Sequence, residues 1–474
     1  MKEYNNIYFV GIGGIGMSAL ARYFNRIGKQ VAGYDRTQTE LCHELENEGI
    51  AIHYTDDVTM IPVELQNPAT TLVVYTPAVP KDHTELNYFR DNGFRVIKRS
   101  EALGEITKVA KTIAVAGTHG KTTTSSMVAH ILKVANIDIA AFLGGITLNY
   151  NSNLILPEST NLEDSIMVTE ADEYDRSFLT LHPYIAIITS NDADHLDIYG
   201  DKENMHKSYI DFAKQIVPNG TLIVKNDLVF EQRGRGYFID DLIKNTTIIT
   251  YSISDEKADY RASQLRIENG FFVYDIITPQ GVIDNIHLGL PGTHNVENSV
   301  AACAAASLAG ANFTSIKQAL QSFKGAKRRF EYIVRTPQIV YIDDYAHHPS
   351  ELEASIKSVR MLYPDKKITG IFQPHLFTRT RDFAEGFAQS LDLLDEAILL
   401  DIYPARELPL EGVTSTMLLG LMKSNNKRLS TKQHLVAELE NENNEVVVTL
   451  GAGDIDTLVE PIKQMLTKKY GLNA

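Results

Sequence analysis

Gly117-Thr118-His119-Gly120-Lys121-Thr122-Thr123-Thr124 sets two glycines, one lysine and a run of hydroxyls close together. Backbone amides of such a loop can wrap phosphate oxygens. Lys121 would contact the β and γ phosphates, and Thr122 would offer its hydroxyl to a divalent ion. The full G-x-x-x-x-G-K-[ST] spacing is not met, because Val115 stands at its first position. Gly117-x-x-Gly120-Lys121-Thr122 remains, between a strand and a helix. A lysine at a helix start opposes the helix dipole and calls for an anionic partner. Glu170 follows the strand-like Ile166-Met167-Val168-Thr169, and Asp194-His195 follow a strand ending at Thr189. Ligands of open parallel sheets gather at such carboxyl ends. Glu170 and His195 are therefore candidates to complete the shell of a divalent ion on the phosphates. The plain alternatives are a solvated acidic face around Glu170-Ala171-Asp172-Glu173 and a capping or core role for His195.

A second glycine cluster opens the chain. Gly11-Ile12-Gly13-Gly14-Ile15-Gly16 fits G-x-G-x-x-G after a strand and before a helix. Bare amides there can approach a pyrophosphate, and Asp35, at the end of the next strand, stands where an acid often meets a ribose. The motif alone fits a nicotinamide dinucleotide, a UDP-sugar, or a tight turn with no ligand.

These loops need α/β elements to hold them. Ile7–Val10, Val31–Asp35 and Thr71–Tyr75 read as strands of a first block, with a helix from Met17 to Ile27. Thr112–Ala116, Ser165–Val168 and Tyr184–Ile188 belong to a second, with helices over Lys121–Val134 and Asn295–Leu308. There Glu268-Asn269-Gly270, between two runs rich in apolar and aromatic residues, signals a hairpin. Ile339–Ile342, Ile368–Phe372, Ala397–Leu400 and Val446–Leu450 form a third. The expected domains are 1–107, 108–325 and 326–474. The 45 basic residues are outnumbered by 60 acidic ones, giving −15, which argues against a general nucleic-acid or membrane-surface binder. No apolar run reaches the ~18 residues of a membrane span, and the start lacks a signal-peptide pattern. The two cysteines, Cys42 and Cys303, make neither a disulfide framework nor a metal site. The expected location is the cytoplasm.

Taken together, these residues resemble the Mur ligases. The phosphate loop, Glu170 and Asp194-His195-Leu196-Asp197 match. So do Pro291-Gly292-Thr293-His294-Asn295-Val296-Glu297-Asn298, Arg328-Arg329-Phe330 and Asp343-Asp344-Tyr345-Ala346-His347-His348-Pro349. Gln373-Pro374-His375 with Thr378-Arg379-Thr380-Arg381, and Gly451-Ala452-Gly453-Asp454, complete the series in order along the chain. The opening through Met17-Ser18-Ala19, His119 inside the loop and the paired His347-His348 are most similar to the branch that joins L-alanine to UDP-N-acetylmuramic acid. The recycling branch, which adds a preformed tripeptide to the same sugar nucleotide, is the near alternative. A NAD-dependent oxidoreductase is the alternative of another class.

The resemblance implies three α/β domains: a Rossmann-like N-terminal domain, a P-loop central ATPase domain and a Rossmann-like C-terminal domain. It implies an acyl-phosphate ligase working on UDP-N-acetylmuramate, L-alanine and ATP, with magnesium, or manganese in its place, and no obligate protein partner. The UDP part falls to Gly11, Gly13, Gly14, Ile15, Gly16, Met17, Ser18, Asp35, Thr76 and Pro77. ATP falls to residues 117–123 with Asn295, Asn298, Arg329 and Asp344, and the metal to Thr122, Glu170 and His195. Lys121, Glu170, His195, His347, Arg379 and Arg381 are the implied catalytic set, with Tyr345, His347 and Arg379 at the amino acid. Two features depart from the family. Leu376 stands where an arginine commonly follows Gln-Pro-His, and Ser190 where an asparagine commonly follows the threonine. Lys207 lies in the region where some relatives carry a carbamylated lysine.

Overall fold

The computed structural model describes residues 4–472 other than 162, 163, 195, 233, 245 and 406, and omits the side chains of Asp175, Leu196 and Asp197. The chain divides into two compact units. One holds 1–261, 277–283 and 298–319, the other 262–276, 284–297 and 320–474.

The first unit begins with a parallel sheet of β1 (Asn6–Val10), β2 (Gln30–Tyr34), β3 (Ala51–His53), β4 (Thr71–Tyr75) and β5 (Arg95–Lys98), in the order β3-β2-β1-β4-β5. Its helices include α1 (Ile15–Arg26), α2 (Glu40–Asn47), α3 (Thr84–Asp91) and α4 (Arg99–Thr107). β1 pairs with β2 from Asn6↔Gln30 and with β4 from Asn6↔Thr71. The chain reverses direction across the sheet between β1 and β4, so a crevice opens beyond Val10, where the first glycine cluster begins.

The same unit contains β6 (Lys111–Ala116), α5 (Lys121–Val134), β7 (Ile139–Thr147), β8 (Ser152–Ile155), β9 (Ile166–Glu170), β10 (Ile185–Ile188), β11 (Thr221–Lys225), the small hairpin β12 (Phe230–Gln232) and β13 (Arg235–Tyr237), and β14 (Thr247–Ser252). The sheet runs β14-β11-β10-β6-β9-β7-β8. All neighbours are parallel except the β7–β8 edge. β6 lies between β9 and β10, and the residues of Thr112–Ala116 are all buried, as a strand covered on both faces requires. The phosphate loop therefore leaves the middle of the sheet.

β15 (Tyr260–Glu268), β16 (Phe271–Thr278) and β17 (Gly281–Leu288) follow. Asn269 and Gly270, with φ of 51° and 77°, form the turn of the hairpin that the sequence predicts, while Glu268 belongs to β15. The helix Thr293–Leu308 starts two residues before its expected beginning. The second unit contains β18 (Glu331–Arg335), β19 (Val340–Asp344), β20 (Ile368–Phe372), β21 (Glu396–Leu399), β22 (Lys427–Leu429) and β23 (Val446–Leu450), ordered β18-β19-β23-β20-β21-β22, with only β18 antiparallel. The strands expected in this region are all present. The edge strands β18 and β22 are not visible as apolar runs, because an edge strand is only half covered.

Candidate functional site

In the first glycine loop, the amides of Gly11 and Ile12 donate to Tyr34 O at 2.8 and 3.0 Å. Asp35 accepts from Gly13 N at 2.8 Å and from Thr37 N at 3.0 Å. Its carboxylate thus shapes the loop itself. Thr76 lies beside the loop, its amide donating to Val10 O at 3.3 Å, and Pro77 is exposed. Gly14 precedes α1 without a capping side chain. Met17 and Ser18 are buried in the unit, and Ser18 Oγ donates to Ile15 O.

The phosphate loop is more constrained. Gly117 has φ of 132°, and a Cβ there would lie 2.1 Å from Thr189 Oγ1. Gly120 has φ of 81°, and a Cβ there would lie 2.7 Å from Asn298 Oδ1, which puts the amide of Asn298 over the loop. His119 N donates to Ser190 Oγ at 2.7 Å, its Nε2 lies 3.3 Å from Asp192, and Thr118 Oγ1 donates to Asp192 O at 2.8 Å. Ser190, the departure noted in the sequence, therefore braces the loop. Thr123 is buried.

Lys121 starts α5 and turns back over its own loop, donating to Gly117 O at 2.8 Å and to Glu173 Oε1 at 2.9 Å. Burial alone would favour the neutral amine, but Glu173, Glu170 and Asp172 outweigh it and keep the ammonium charged. Burial pushes the Glu173 carboxyl up, against the pull of Lys121. Thr122 Oγ1 donates to Glu170 Oε2 at 2.8 Å. Glu170 rests on Gly144, where a Cβ would lie only 1.9 Å from Oε2. Hard oxygens of a hydroxyl and a carboxylate, gathered beside a bare-backbone cradle, suit magnesium. His195 lies outside the described residues. Lys207 pairs with Asp211 at 2.8 Å on an exposed helix face.

Within the same unit a cavity of about 320 Å³ has Gly16 of the first glycine loop and Glu170, the last residue of β9, in its lining. Arg99, Gly144, Asn153 and Phe178 also face it. The first sheet and the middle sheet thus share one space. Sequence reading missed Glu173, Gly144 and Arg99. Only the position of Glu173 in the acidic run after β9 hinted at its role.

In the second unit Asn295 is buried and donates to Pro291 O at 2.6 Å, bracing the turn before its helix. The guanidinium of Arg329 lies 4.9 Å from the centre of the Tyr345 ring and 4.0 Å from Glu351. Asp344 ends β19, and burial raises its carboxyl to about 6. His347 Nδ1 lies 3.0 Å from Tyr345 O, and burial lowers the imidazole to about 4. A carbonyl only accepts, so Nδ1 carries the proton and Nε2 keeps its lone pair. His348 caps the helix Pro349–Leu362 through Ser350. The His347 and His375 ring centres are 6.3 Å apart, and Arg379 Nη1 lies 3.5 Å from His375 Nδ1. Arg379 is 7% exposed. Arg381, by contrast, points to solvent and pairs with Asp382 at 2.7 Å. Leu376 occupies a left-handed φ of 68° before these arginines.

Known proteins match this chain along its length. The models for the Mur ligase family, catalytic domain, the Mur ligase middle domain and the Mur ligase, glutamate ligase domain match residues 6–111, 115–306 and 328–453. The UDP-N-acetylmuramate–L-alanine ligase of Cytophaga hutchinsonii is 48% identical over 99% of each chain. That of Porphyromonas gingivalis is 51% identical over 97% of this chain and 98% of its own. The crystal structure of the UDP-N-acetylmuramate-alanine ligase of Thermotoga maritima superposes with a TM-score of 0.74 at 26% identity, covering 98% of this chain and 99% of that one.

Proposed function

This chain belongs to the Mur ligase family, and on that premise we propose that it joins L-alanine to the carboxylate of UDP-N-acetylmuramate, driven by ATP, in peptidoglycan precursor synthesis. The observation that carries the reading is the cavity lined by Gly16 and Glu170, which would set a UDP-linked sugar beside the carboxylate that holds Thr122 of the phosphate loop. Identity near 50% to alanine-adding relatives over nearly the whole chain supports the choice of substrates.

A carboxylate and an amine do not condense in water. The sugar's carboxylate oxygen attacks the γ-phosphorus, the bond to the bridging oxygen breaks, and ADP leaves. The alanine amine then adds to the acyl carbon, loses a proton, and inorganic phosphate departs. Positioning and charge stabilisation dominate such transfers. Lys121 neutralises the transferred phosphoryl group, and the amides of residues 117–123 cradle its neighbours. Thr122, Glu170 and His195 would hold magnesium, which supplies electrostatic stabilisation of the phosphates. By the family resemblance, Asn295, Asn298, Arg329 and Asp344 are the further residues proposed for ATP. Gly11, Gly13, Gly14, Ile15, Gly16, Met17, Ser18, Asp35, Thr76 and Pro77 form the UDP wall, Asp35 acting through the loop amide it holds. Arg379 grips the alanine carboxylate, Tyr345 lines that place, and neutral His347 accepts the amine proton on Nε2. Arg381 belongs to the same helix.

We place the domain limits at 107/108 and 325/326; the three family matches meet near these positions, between 111 and 115 and between 306 and 328. No helix among the described residues is long and apolar enough to cross a membrane, and the location proposed is the cytoplasm. The test is ADP release with ATP, magnesium and UDP-N-acetylmuramate, adding L-alanine or the recycling tripeptide in parallel and weighing the product. Turnover with L-alanine and a product heavier by one alanyl residue is expected. Turnover with the tripeptide alone would move the chain to the recycling branch.

A further inference from the structure

Arg99 is the first residue of α4 and faces the cavity that Gly16 and Glu170 line. Its Nη1 and Nε would lie 3.2 and 3.3 Å from a Cβ placed on Gly16, so the guanidinium lies against that turn. It makes no hydrogen bond or ion pair among the described residues, although it is half-buried. The two carboxylates in the cavity lining are engaged elsewhere. Glu170 accepts from Thr122, and Asp172 accepts from Tyr174 N at 3.1 Å. A half-buried guanidinium without an acid beside it favours an anion from outside the protein, and its planar fork suits two oxygens of one phosphate. The side chains of Ser100 and Asn153 line the same cavity and hydrogen-bond to nothing among the described residues. Phe142 and Phe178 supply an apolar wall. About 320 Å³ lies at the small end of ligand cavities and suits one substituted hexose.

We propose that Arg99 is a substrate-binding residue that grips the phosphate next to the sugar, with the sugar in this cavity, so that Arg99 selects glycosyl diphosphates over nucleoside monophosphates. Ser100 and Asn153 meet the polar substituents of the sugar. The proposal rests on the reading that the first glycine loop takes a UDP-linked substrate. It adds a charged determinant that no motif in the sequence marks.

Calorimetric titration of UDP-N-acetylmuramate, UDP and UMP into wild type, Arg99→Ala and Arg99→Lys tests it, with melting curves to show that each variant is folded. Charge-assisted hydrogen bonds of this kind set the expected scale, so Arg99→Ala should bind UDP and the sugar nucleotide about 30-fold more weakly. UMP affinity and the KM for ATP should stay within about twofold, and Arg99→Lys should fall between. UDP binding needs no turnover, so it reads Arg99 whether or not alanine is ligated. Failure of wild type to ligate alanine while UDP binding still depends on Arg99 would count against the ligase reading alone. Unchanged UDP binding in Arg99→Ala, or no UDP binding by wild type, would overturn the role of Arg99.

Discussion

Lys121 Nζ lies 2.9 Å from Oε1 and 2.8 Å from Oε2 of Glu173, a carboxylate with only 1% of its side chain exposed. The charge assigned to the phosphates is therefore already held by the protein. Removing one partner of a buried pair typically costs about 3–5 kcal/mol. Lys121→Ala should abolish product formation and leave UDP-substrate binding intact. It should also lower the melting temperature in a pH-dependent way. Burial raises the Glu173 carboxyl, so its contribution to stability is present at low pH and is lost as pH rises through its folded value. Without Lys121 that value rises further. The variant's deficit should be largest in alkaline buffer and shrink on acidification; a deficit independent of pH would contradict the pairing.

Gly144 touches the other carboxylate of the loop. A Cβ at this position would sit 1.9 Å from Glu170 Oε2 and force it away from Thr122. Gly144→Ala should lower kcat by about 100-fold, the scale of an ångström-size misplacement, and raise the magnesium concentration needed for half-maximal rate. Steady-state kinetics across a magnesium series checks both.

Asp344 gives a separate pH signature. Burial carries its carboxyl up to about 6, against about 3.9 in an unfolded chain. The protonated form is the one favoured by folding, so its contribution is full below the lower value and is lost as pH rises through the upper one. Asp344→Asn never ionises. At neutral pH it should gain on the order of 2–3 kcal/mol over wild type, and lose that gain below about pH 4. Urea unfolding measured across pH reads the difference, while activity should fall in the variant at every pH.

Arg379 and Arg381 share a residue type and one short motif, and they separate in space. Arg379 is buried against His375, whereas Arg381 is exposed beside Asp382. Arg379→Ala should raise the KM for L-alanine by about 10- to 100-fold, as expected for a lost charge-assisted bond. Arg381→Ala should change it by no more than about twofold. Equal effects would mean that Arg381 also reaches the substrate.

The elements around each loop were legible because their signals are local. A buried apolar strand, a glycine loop and the helix Lys121–Val134 follow one another in a few residues, and Asn269-Gly270 demands one kind of turn. Arg379 and Arg381 could not be told apart this way. Two residues apart on a helix they face opposite sides, and only the packing of that helix says which side is covered. Asp35 has the type and place of a ribose ligand, yet its oxygens are taken by Gly13 N and Thr37 N.

The sequence by itself determined which chemical groups the chain owns and which short segments present them: the amides around Gly117 and Gly120, the ammonium of Lys121, the carboxylate of Glu170, the glycines after β1. Those follow from residue type and near neighbours. Only the tertiary structure decided which charges are paired and which are open. Glu173 closes on Lys121, Glu170 sinks onto Gly144, and Arg99 faces a cavity whose two carboxylates are engaged elsewhere. Pairing and burial depend on segments far apart in the chain, and in a low-dielectric interior those contacts set the protonation and reach of every group in the site.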